Sequence, residues 1–180
     1  MLQLKGKNIY LRPLTEADAT ETYVSWMNDP QVNQYLESRF KKFTIGDIRS
    51  YITEINKDLN NVFFAMISID GDKHIGNIKL GPINQYHRIG DIGLIIGDKT
   101  CWGKGYATEA IGLLKDYAFN KLNLHKLTAG CYADNIGSAK AFLKVGFVEE
   151  ARLASHFRRN DDKYVDKICL GMINPAEATK

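Results

Sequence analysis

The sequence predicts one mixed α+β domain built in layers. Three observations support this fold class: two alternating segments flank a tight turn in the first half, strands then alternate with helices, and two further strand-like segments close the chain. A chain of 180 residues with 44% hydrophobic content can bury its own core, and no repeat or low-complexity linker divides it. We expect a single domain over residues 1–174 and a short, loose tail over residues 175–180.

The first half begins with a strand, "NIYLRPL", and two helices. Thr15, with Asp18 three residues later, predicts the start of a helix that runs to Pro30, where the missing N–H stops it. Thr44 predicts the cap of a second helix, because isoleucines recur after it at helical spacing. The segments "VFFAMISI" and "KHIGNIKLGPI" then flank the turn "DGDK" and predict an antiparallel hairpin.

The second half alternates strands and helices. The strand "IGDIGLIIG" leads through a glycine-containing loop into a helix whose apolar face includes Ala107, Leu114 and Ala118. "HKLTAGCY" predicts the next strand, and "NIGSAKAFLKV" predicts a helix closed by Gly146 as its C-terminal cap. "FVEEARLASHF" and "KYVDKICLGMI" predict two last strands joined by a polar turn.

Charge, cysteine and histidine content argue against several classes of protein. The formal net charge is +3 and basic residues are interleaved with acidic ones, so we expect no nucleic-acid partner. The start of the chain lacks the apolar core of a signal peptide and no run approaches the ~20 residues of a membrane span, so we expect neither secretion nor a membrane. The four histidines lack metal-ligand spacing and the three cysteines form no CxxC pair, which predicts no metal and a reducing cytoplasm.

Gly103 and Gly105 lie between a strand and an amphipathic helix. The first N–H groups of a helix have no intrahelical partner and carry partial positive charge, so they favour an anion, and glycines let a phosphate approach the main chain. A phosphate cradle and a plain strand-to-helix turn both fit this pair. A P-loop does not fit, because Gly97 is one residue too far away and Gly105 replaces the magnesium-binding hydroxyl. A dinucleotide fingerprint does not fit, because Thr108 occupies its third glycine position.

The stretch "WGKGYA", Trp102 to Ala107, resembles the cofactor loop Q/R-x-x-G-x-G/A of the GNAT superfamily of acetyl-CoA-dependent N-acetyltransferases. The longer "WGKGYATEA" is similar to the ribosomal-protein alanine N-acetyltransferases within it. A second family signature, a helix that starts N-x-x-[AS] and ends in GF, is matched by Asn135, Ser138 and "KVGF". The opening "LRPLTEAD" is similar to the same subgroup, so the resemblance covers nearly the whole chain.

The resemblance implies a mostly antiparallel central sheet flanked by helices, with a splay between the strands at about 91–97 and 125–132. The pantetheine arm of acetyl-CoA would lie in this splay and its diphosphate on main-chain N–H groups of the glycine loop, with Lys104 and Lys140 neutralising charge. Without the resemblance, Ile95 and Ile96 are simply core residues. The residues that the resemblance places on acetyl-CoA are Leu94, Ile95, Ile96, Cys101, Trp102, Gly103, Lys104, Gly105, Tyr106, Ala107 and Asn135.

Acetyl transfer to an amine needs a base, because an alkyl ammonium has a pKa near ~10, and an acid for the departing thiolate. The family's usual acid is a tyrosine seven residues beyond the motif asparagine, and Phe142 occupies that position. Ser138 is the expected replacement, or else a small residue that lets the helix approach the cofactor. Asp91 resembles the acidic residue at the family's strand start, or else is a surface carboxylate, while His87 or His125 acting through water stays open.

The segment "WMNDPQVNQYLESRF" combines aromatic and basic side chains. Such a set would stack a base and pair a diphosphate, and the segment is similar to those of acetyltransferases that act on nucleotide-linked amino sugars. Core packing and a solvated charge run are the plain alternatives, and a protein N-terminus, a polyamine or an antibiotic is another acceptor. The candidate substrate-binding residues are Trp26, Tyr35, Arg39 and Phe40.

The missing tyrosine also leaves room for a different class of protein, an acetyl-CoA-binding sensor or adaptor without turnover. Because relatives in the resembled family often pair, the resemblance also implies a homodimer. Neither partner choice nor substrate identity is fixed by the sequence patterns.

Overall fold

The computed structural model describes residues 2–177 of the chain. Its five helices are α1 (Glu21–Asn28), α2 (Pro30–Asn33), α3 (Ile45–Lys57), α4 (Tyr106–Asn120) and α5 (Ile136–Val145). Its strands are β1 (Leu4–Lys5), β2 (Ile9–Pro13), β3 (Val62–Ser68), β4 (Lys73–Asn84), β5 (Ile89–Ile96), β6 (Lys126–Tyr132), β7 (Val148–Arg158) and β8 (Tyr164–Ile173).

All eight strands belong to one sheet, in the order β1-β2-β3-β4-β5-β6-β8-β7. Neighbouring strands are antiparallel except β5 and β6, which are parallel because α4 connects them on one face of the sheet. The α+β class predicted from the sequence is confirmed, with its mostly antiparallel sheet and flanking helices.

The N-terminal helix begins later than Thr15 predicted. Asp18 accepts the N–H of Thr15 (2.8 Å), but together they close only a single 3-10 turn, Glu16–Asp18. The chain then extends and Thr20 caps α1. The end of this helix was predicted correctly, because α1 stops at Asn28 with an extended Asp29 as its C-cap, directly before Pro30. Pro30 then opens α2, where a missing N–H costs nothing.

The other elements follow their sequence signals. Thr44 and Asp47 form the capping box of α3, and Gly146 closes α5 in the left-handed region at φ 106°. The predicted hairpin over β3 and β4 and the closing pair β7 and β8 are both antiparallel. These predictions are confirmed.

The core forms two clusters, one on each face of the sheet. Alternate strand residues divide between them, so Phe64 packs with the α4 side while Phe63 packs with α1 and α3. On β5 the same alternation sends Ile92 to the α4 side and Ile95 to the α1 side. Burying Phe63, Phe64 or Ile92 is worth about 1.5–3 kcal/mol each, whereas Ile95 is only partly buried.

The tail is not loose where the structure describes it. The carboxylate of Glu177 accepts from Arg88 Nη2 at 2.8 Å and lies 2.7 Å from His125 Nδ1, and Asn174 is buried. The expectation of a loose tail is therefore wrong for residues 174–177, and residues 178–180 lie outside the described part of the chain. None of the helices in residues 2–177 is long and apolar enough to cross a membrane.

The strands β5 and β6 part soon after they meet. Their register pairs are Ile89 with Lys126, Gly90 with Leu127 and Asp91 with Thr128. Beyond Asp91, β5 continues to Ile96 while still paired with β4, and β6 continues to Tyr132 while paired with β8. The two strands therefore open into a wedge, as the resemblance implied.

Candidate active site

A cavity of about 680 Å³ fills the wedge between β5 and β6. We call it the wedge cavity. Its walls come from the exposed edge of β5, the loop after that strand, the first turns of α4 and α5, and the 31–37 segment beyond α1. Its volume lies within the range of small-molecule sites in proteins.

The loop after β5 presents main chain rather than side chains to the wedge cavity. Gly103 and Gly105 have φ of 73° and 86°, and a Cβ added at either would meet no protein atom within 4 Å. Trp102 braces this loop, because its Nε1 donates to the carbonyl of Ile96 at 2.9 Å. The first N–H groups of α4, which starts directly after Gly105, are thus left open to an anion.

Glu109 fastens the first turn of α4 to the start of β2. Its Oε1 accepts the N–H of Asn8 at 2.8 Å and its Oε2 accepts Asn8 Nδ2 at the same distance. Burial tends to raise the pKa of Glu109, but these hydrogen bonds outweigh it and hold the pKa below its ordinary value. The carboxylate of Glu109, the acidic residue in the first turn of α4, is therefore held by Asn8 and does not face the proposed anion site.

Asp98 fixes the start of the same loop. Its Oδ2 lies 2.5 Å from Lys73 Nζ, and its Oδ1 accepts from the N–H (2.9 Å) and hydroxyl (2.7 Å) of Thr100. The hydrogen bond from Lys73, followed by that from Thr100, lowers the pKa of Asp98 to about 2. The carboxylate is thus ionised at neutral pH and holds the loop to β4.

The N-terminus of α5 forms the opposite wall. Asn135 caps the helix with its Oδ1, which accepts the N–H of Ser138 at 3.2 Å. Ser138 lines the wedge cavity beside Cys131, and burial raises the pKa of the Cys131 thiol. Phe142 is also in the lining, so an apolar ring stands where the family's tyrosine would be.

Most sequence-predicted cofactor residues meet in the wedge cavity, together with Ser138 and Tyr35. Lys104 is the exception among them, and Lys140 does line the cavity. The residues that the structure brings together there are Leu94, Ile95, Ile96, Cys101, Trp102, Gly103, Gly105, Tyr106, Ala107, Asn135, Ser138 and Tyr35.

The other candidate substrate residues lie elsewhere. Trp26 is buried against Gly97, where an added Cβ would lie 1.9 Å from the indole, and its ring contacts His74 edge-on. Phe40 is 72% exposed under the guanidinium of Arg39. Neither Trp26 nor Phe40 lines the wedge cavity.

Arg39 is a structural arginine, with a side chain only 3% exposed. Its Nη1 donates to the carbonyl of Leu36 (2.9 Å) and the hydroxyl of Tyr132 (2.8 Å). Its Nη2 donates to the carbonyl of Arg158 (2.7 Å) and its Nε to Asn160 Oδ1 (3.1 Å). The guanidinium therefore ties the segment after α2 to the β7–β8 hairpin.

Asp91 stands at the apex of the wedge, on the α1 side of the sheet. Its Oδ1 accepts the hydroxyl of Thr128 at 2.7 Å. Although the side chain is open to solvent on one side, the protein packed around the carboxyl raises the pKa of Asp91, against the opposing effects of Thr128, Lys167 and Lys79. A carboxylate with a raised pKa is better suited to accept a proton from an ammonium than an ordinary one.

A second cavity, of about 390 Å³, lies on the α1 and α3 face. We call it the helix-face cavity. It shares Leu36, Gly93, Leu94 and Ile95 with the wedge cavity, so the two meet across β5. The two cavities are therefore neighbours that share a wall formed in part by β5.

Several residues of the site carried no signal that the sequence patterns could resolve. Tyr132 and Phe157 stack at 4.0 Å between ring centroids and both line the wedge cavity. Asn77 lines the helix-face cavity from the middle of β4. The sequence signal for Asn77 was its polar side chain on the strand "HIGNIKL", where it lies between the buried Ile75 and Ile78. Tyr132 and Phe157 lie in different strands, and their contact depends on β6, β8 and β7 being neighbours.

No group of three or more His, Cys, Asp or Glu side chains within residues 2–177 is arranged to hold a metal ion. The wedge cavity offers main-chain N–H groups at the start of α4 and the hydroxyl of Ser138 on α5, while Asp91 lies at the apex of the wedge without lining either cavity. Such a site in this sheet defines an acyltransferase, a protein that holds an acyl carrier by its phosphates and offers the acyl group through a gap in the sheet.

Residues 8–148 match the family model described as acetyltransferase (GNAT) domain, and the chain belongs to that family. The "Probable N-acetyltransferase YjcK" of Bacillus subtilis (strain 168) is 33% identical over 178 residues, which cover 96% of this chain and 97% of the relative. The predicted family and enzyme class are thus confirmed, and the chain is an acyltransferase rather than a non-catalytic sensor.

Solved structures agree with the fold. The spermidine N-acetyltransferase from Vibrio cholerae, in complex with CoA and spermine, has a TM-score of 0.83 at 25% identity and covers 94% of this chain and 97% of its own. The ribosomal-protein-S5-alanine acetyltransferase from Vibrio fischeri has a TM-score of 0.84 at 23% identity, covering 97% and 98%. GNAT acetyltransferases use acetyl-CoA, and the residues of the wedge cavity suit its diphosphate and its extended arm.

Proposed function

We propose that this enzyme transfers an acetyl group from acetyl-CoA directly to a primary amine of a small molecule. The observation that carries the proposal is the parting of β5 and β6 beyond Asp91 and Thr128, next to the open N-terminus of α4. The diphosphate would lie on the main chain from Cys101 to Ala107, and the pantetheine arm would lie along the free edge of β5.

The chain's own residues supply the remaining chemistry. Asp91 takes the proton of the ammonium, directly or through water, so that the amine can attack the thioester. A main-chain N–H near Ile96 stabilises the oxyanion of the tetrahedral intermediate. Ser138, on the opposite wall, relays a proton from water to the departing thiolate and regains its own proton from that water in the same step, a role that Phe142 cannot fill.

The geometry does not favour a nucleotide-linked amino sugar as acceptor. Four of the five N–H groups of Arg39 already donate to protein oxygens and its side chain is nearly fully buried, so the guanidinium is poorly placed for a diphosphate. Trp26 is packed in the core and offers no face for a base. Tyr35 remains as an acceptor-side candidate, because it lines the wedge cavity and contacts Tyr132 at 5.5 Å between centroids.

A cytoplasmic location and a homodimer belong to the same proposal. Cys101, Cys131 and Cys169 are all free thiols, which suits a reducing compartment. The edge strand β7 is exposed along most of its length, including Val148 and Leu153, and an edge of this kind is a surface on which a second copy can pair.

The cradle is tested by Gly105→Val, with acetyl-CoA binding measured by calorimetry and by thermal stabilisation. The added side chain would fill the space that the diphosphate needs, so we expect binding to be lost. Gly71→Val is the matched control, because Gly71 has nearly the same positive φ (75°) and equally open surroundings, but lies in the β3–β4 turn. Both variants should lose similar stability.

Turnover is tested by following the free thiol of CoA over a panel of primary amines. Thiol release that depends on the amine supports direct transfer. If the Gly105→Val variant binds acetyl-CoA as tightly as the Gly71→Val variant does, the proposed diphosphate site on the glycine loop is refuted.

A further inference from the structure

The helix-face cavity carries more positive than negative charge. Its charged residues are Lys41, Lys79 and Asp47. Asp47 is already used, because its Oδ2 accepts the N–H (2.9 Å) and hydroxyl (2.7 Å) of Thr44, which lower its pKa, and Lys41 Nζ lies 3.7 Å from its Oδ1. Lys79 has no carboxylate within ion-pair distance among the described residues, although Asp91 lies near enough for its charge to interact with that of Lys79. A ligand in this cavity therefore meets an ammonium that is not held in a direct ion pair.

Asn77 adds an unpaired donor to the same cavity. The residue is 1% exposed, and its Oδ1 lies 2.8 Å from His74 Nε2. Because that nitrogen also lies 3.0 Å from the carbonyl of Gly76, it must carry the proton, which leaves Asn77 Nδ2 as the unpaired atom. A buried donor without a partner is destabilising, so an acceptor oxygen on a ligand is favoured there.

Aromatic and apolar side chains form the rest of the wall. Tyr51 and Phe63 meet edge to face at 5.8 Å between centroids, and Met27 and Phe43 also line the space. Tyr23 borders it beside Asn77, which tends to lower the pKa of the Tyr23 hydroxyl, but burial outweighs this effect and raises the pKa, so the hydroxyl stays protonated. The cavity thus suits an apolar body that carries a polar, electron-rich head.

The distance between charge and reaction centre limits the ligand further. Lys79 and Gly93 are register partners on β4 and β5, and their side-chain positions share the α1 face. Cross-strand partners lie about 5 Å apart at Cα, and a Cβ on Gly93 would meet nothing within 4 Å. If the amine of a ligand lies over Gly93, a carboxylate one or two bonds away on the same ligand can therefore reach the Lys79 ammonium.

We propose that the acceptor is an α-amino acid with an apolar or aromatic side chain, whose carboxylate is bound by Lys79 and Asn77. This rests on the proposed acetyl transfer and adds the substrate class. A polyamine fits poorly, because its second ammonium would face Lys79. Two like charges in close contact repel each other, and the repulsion is stronger near a protein surface than in bulk water.

The first experiment compares L-phenylalanine, its neutral amide and spermidine as acceptors by release of CoA thiol. We expect kcat/KM for the acid to exceed that for the amide by about tenfold or more, since a charged hydrogen bond is lost in the amide. The amine of the amide is less basic, so a larger fraction of it is unprotonated and ready to react. This difference alone would favour the amide, so a preference for the acid cannot arise from it. Equal rates for acid and amide, or a preference for spermidine, would overturn the proposal.

The second experiment removes the cation. Lys79→Gln should raise KM for phenylalanine about tenfold, leave KM for acetyl-CoA unchanged and abolish the preference for acid over amide. Lys7→Gln is the matched control, because Lys7 is exposed and lines neither cavity. An equal effect in both variants would assign the preference to overall charge and contradict the proposal.

The third experiment needs no turnover and separates this inference from the proposed function. Calorimetry measures binding of 3-phenylpropanoate, which lacks an amine, and of 3-phenylpropanol to the CoA-loaded protein. We expect the carboxylate to bind saturably and about tenfold less tightly to Lys79→Gln. If it does not bind while other amines are acetylated, this inference alone fails. If it binds while no amine releases thiol, the anion site stands and acetyl transfer fails.

Discussion

The hydroxyl of Thr128 donates to Asp91 Oδ1 at 2.7 Å, and these two residues are the last register pair between β5 and β6. The same contact therefore closes the apex of the wedge and orients the carboxylate that faces the acceptor side. One oxygen of Asp91 is held by the hydrogen bond, which leaves the other for a proton. The fold thus places a candidate base two residues before Gly93, which lines both cavities, although Asp91 itself lines neither.

Asp91→Asn should lower kcat/KM for amine acetylation by about a hundredfold or more, the usual contribution of a general base. Because the surrounding protein raises the pKa of Asp91, activity of the parent enzyme should rise with pH at a higher pH than an ordinary aspartate would give. The hydrogen bond from Thr128 lowers the pKa of Asp91, and Thr128→Val removes it. The activity of this variant should therefore rise at a still higher pH. Steady-state rates across pH measure both effects.

Asp116→Asn is the control for Asp91, because Asp116 lies on the exposed face of α4 and its side chain is 64% exposed. It should leave the pH profile unchanged. A rise with pH that persists in Asp91→Asn would exclude Asp91 as the base and direct attention to His87 and His125.

Ser138→Ala should lower kcat by about tenfold or more with little change in KM for acetyl-CoA, if the hydroxyl protonates the departing thiolate. Ser138→Thr keeps the hydroxyl and should retain most activity. Ser25→Ala, on the exposed side of α1, controls for the loss of a serine hydroxyl. Unchanged kcat in Ser138→Ala would leave the residue with the packing role that its small size also permits.

Arg39→Met should destabilise the protein by about 2–4 kcal/mol, because it removes a buried charge with four kinds of protein partner. The hydroxyl of Tyr132, whose pKa burial and Glu37 raise to about 12, would lose its donor. Urea unfolding measures the loss, and Arg49→Met on the exposed face of α3 is the control. A stable Arg39→Met with a raised KM for the acceptor would instead place Arg39 on the substrate.

Local signals predicted the elements and the cofactor loop, because turns, caps and glycine pairs act over a few residues. Gly103, Gly105 and Asn135 converge on one cavity as the two motifs implied. The start of α1 was missed for a local reason as well, since Thr15 and Thr20 both carry capping signals and only Thr20 precedes an apolar stripe that faces the sheet.

The acceptor side could not be predicted, because it depends on contacts between distant segments. Trp26 carried an aromatic signal, yet the absence of a side chain at Gly97 lets its indole pack into the core. Arg39 looked like a free cation, yet the β7–β8 hairpin, more than a hundred residues away, takes up its donors. Neither contact can be inferred from the spacing of residues along the sequence.

Asp98→Asn should lower the free energy of unfolding by about 1–2 kcal/mol at neutral pH, and the difference should depend on pH. The folded pKa of Asp98, about 2, lies below its ordinary value of 3.8, so the ionised carboxylate stabilises the fold above pH 4. That stabilisation is lost as the pH falls through about 2, where the folded protein also binds the proton. Urea unfolding of both proteins between pH 7 and pH 2.5 should therefore show curves that converge on the acid side. Asp70→Asn, at an exposed turn, should give no such convergence, and a constant difference for Asp98→Asn would mean that shape rather than charge holds the loop to Lys73.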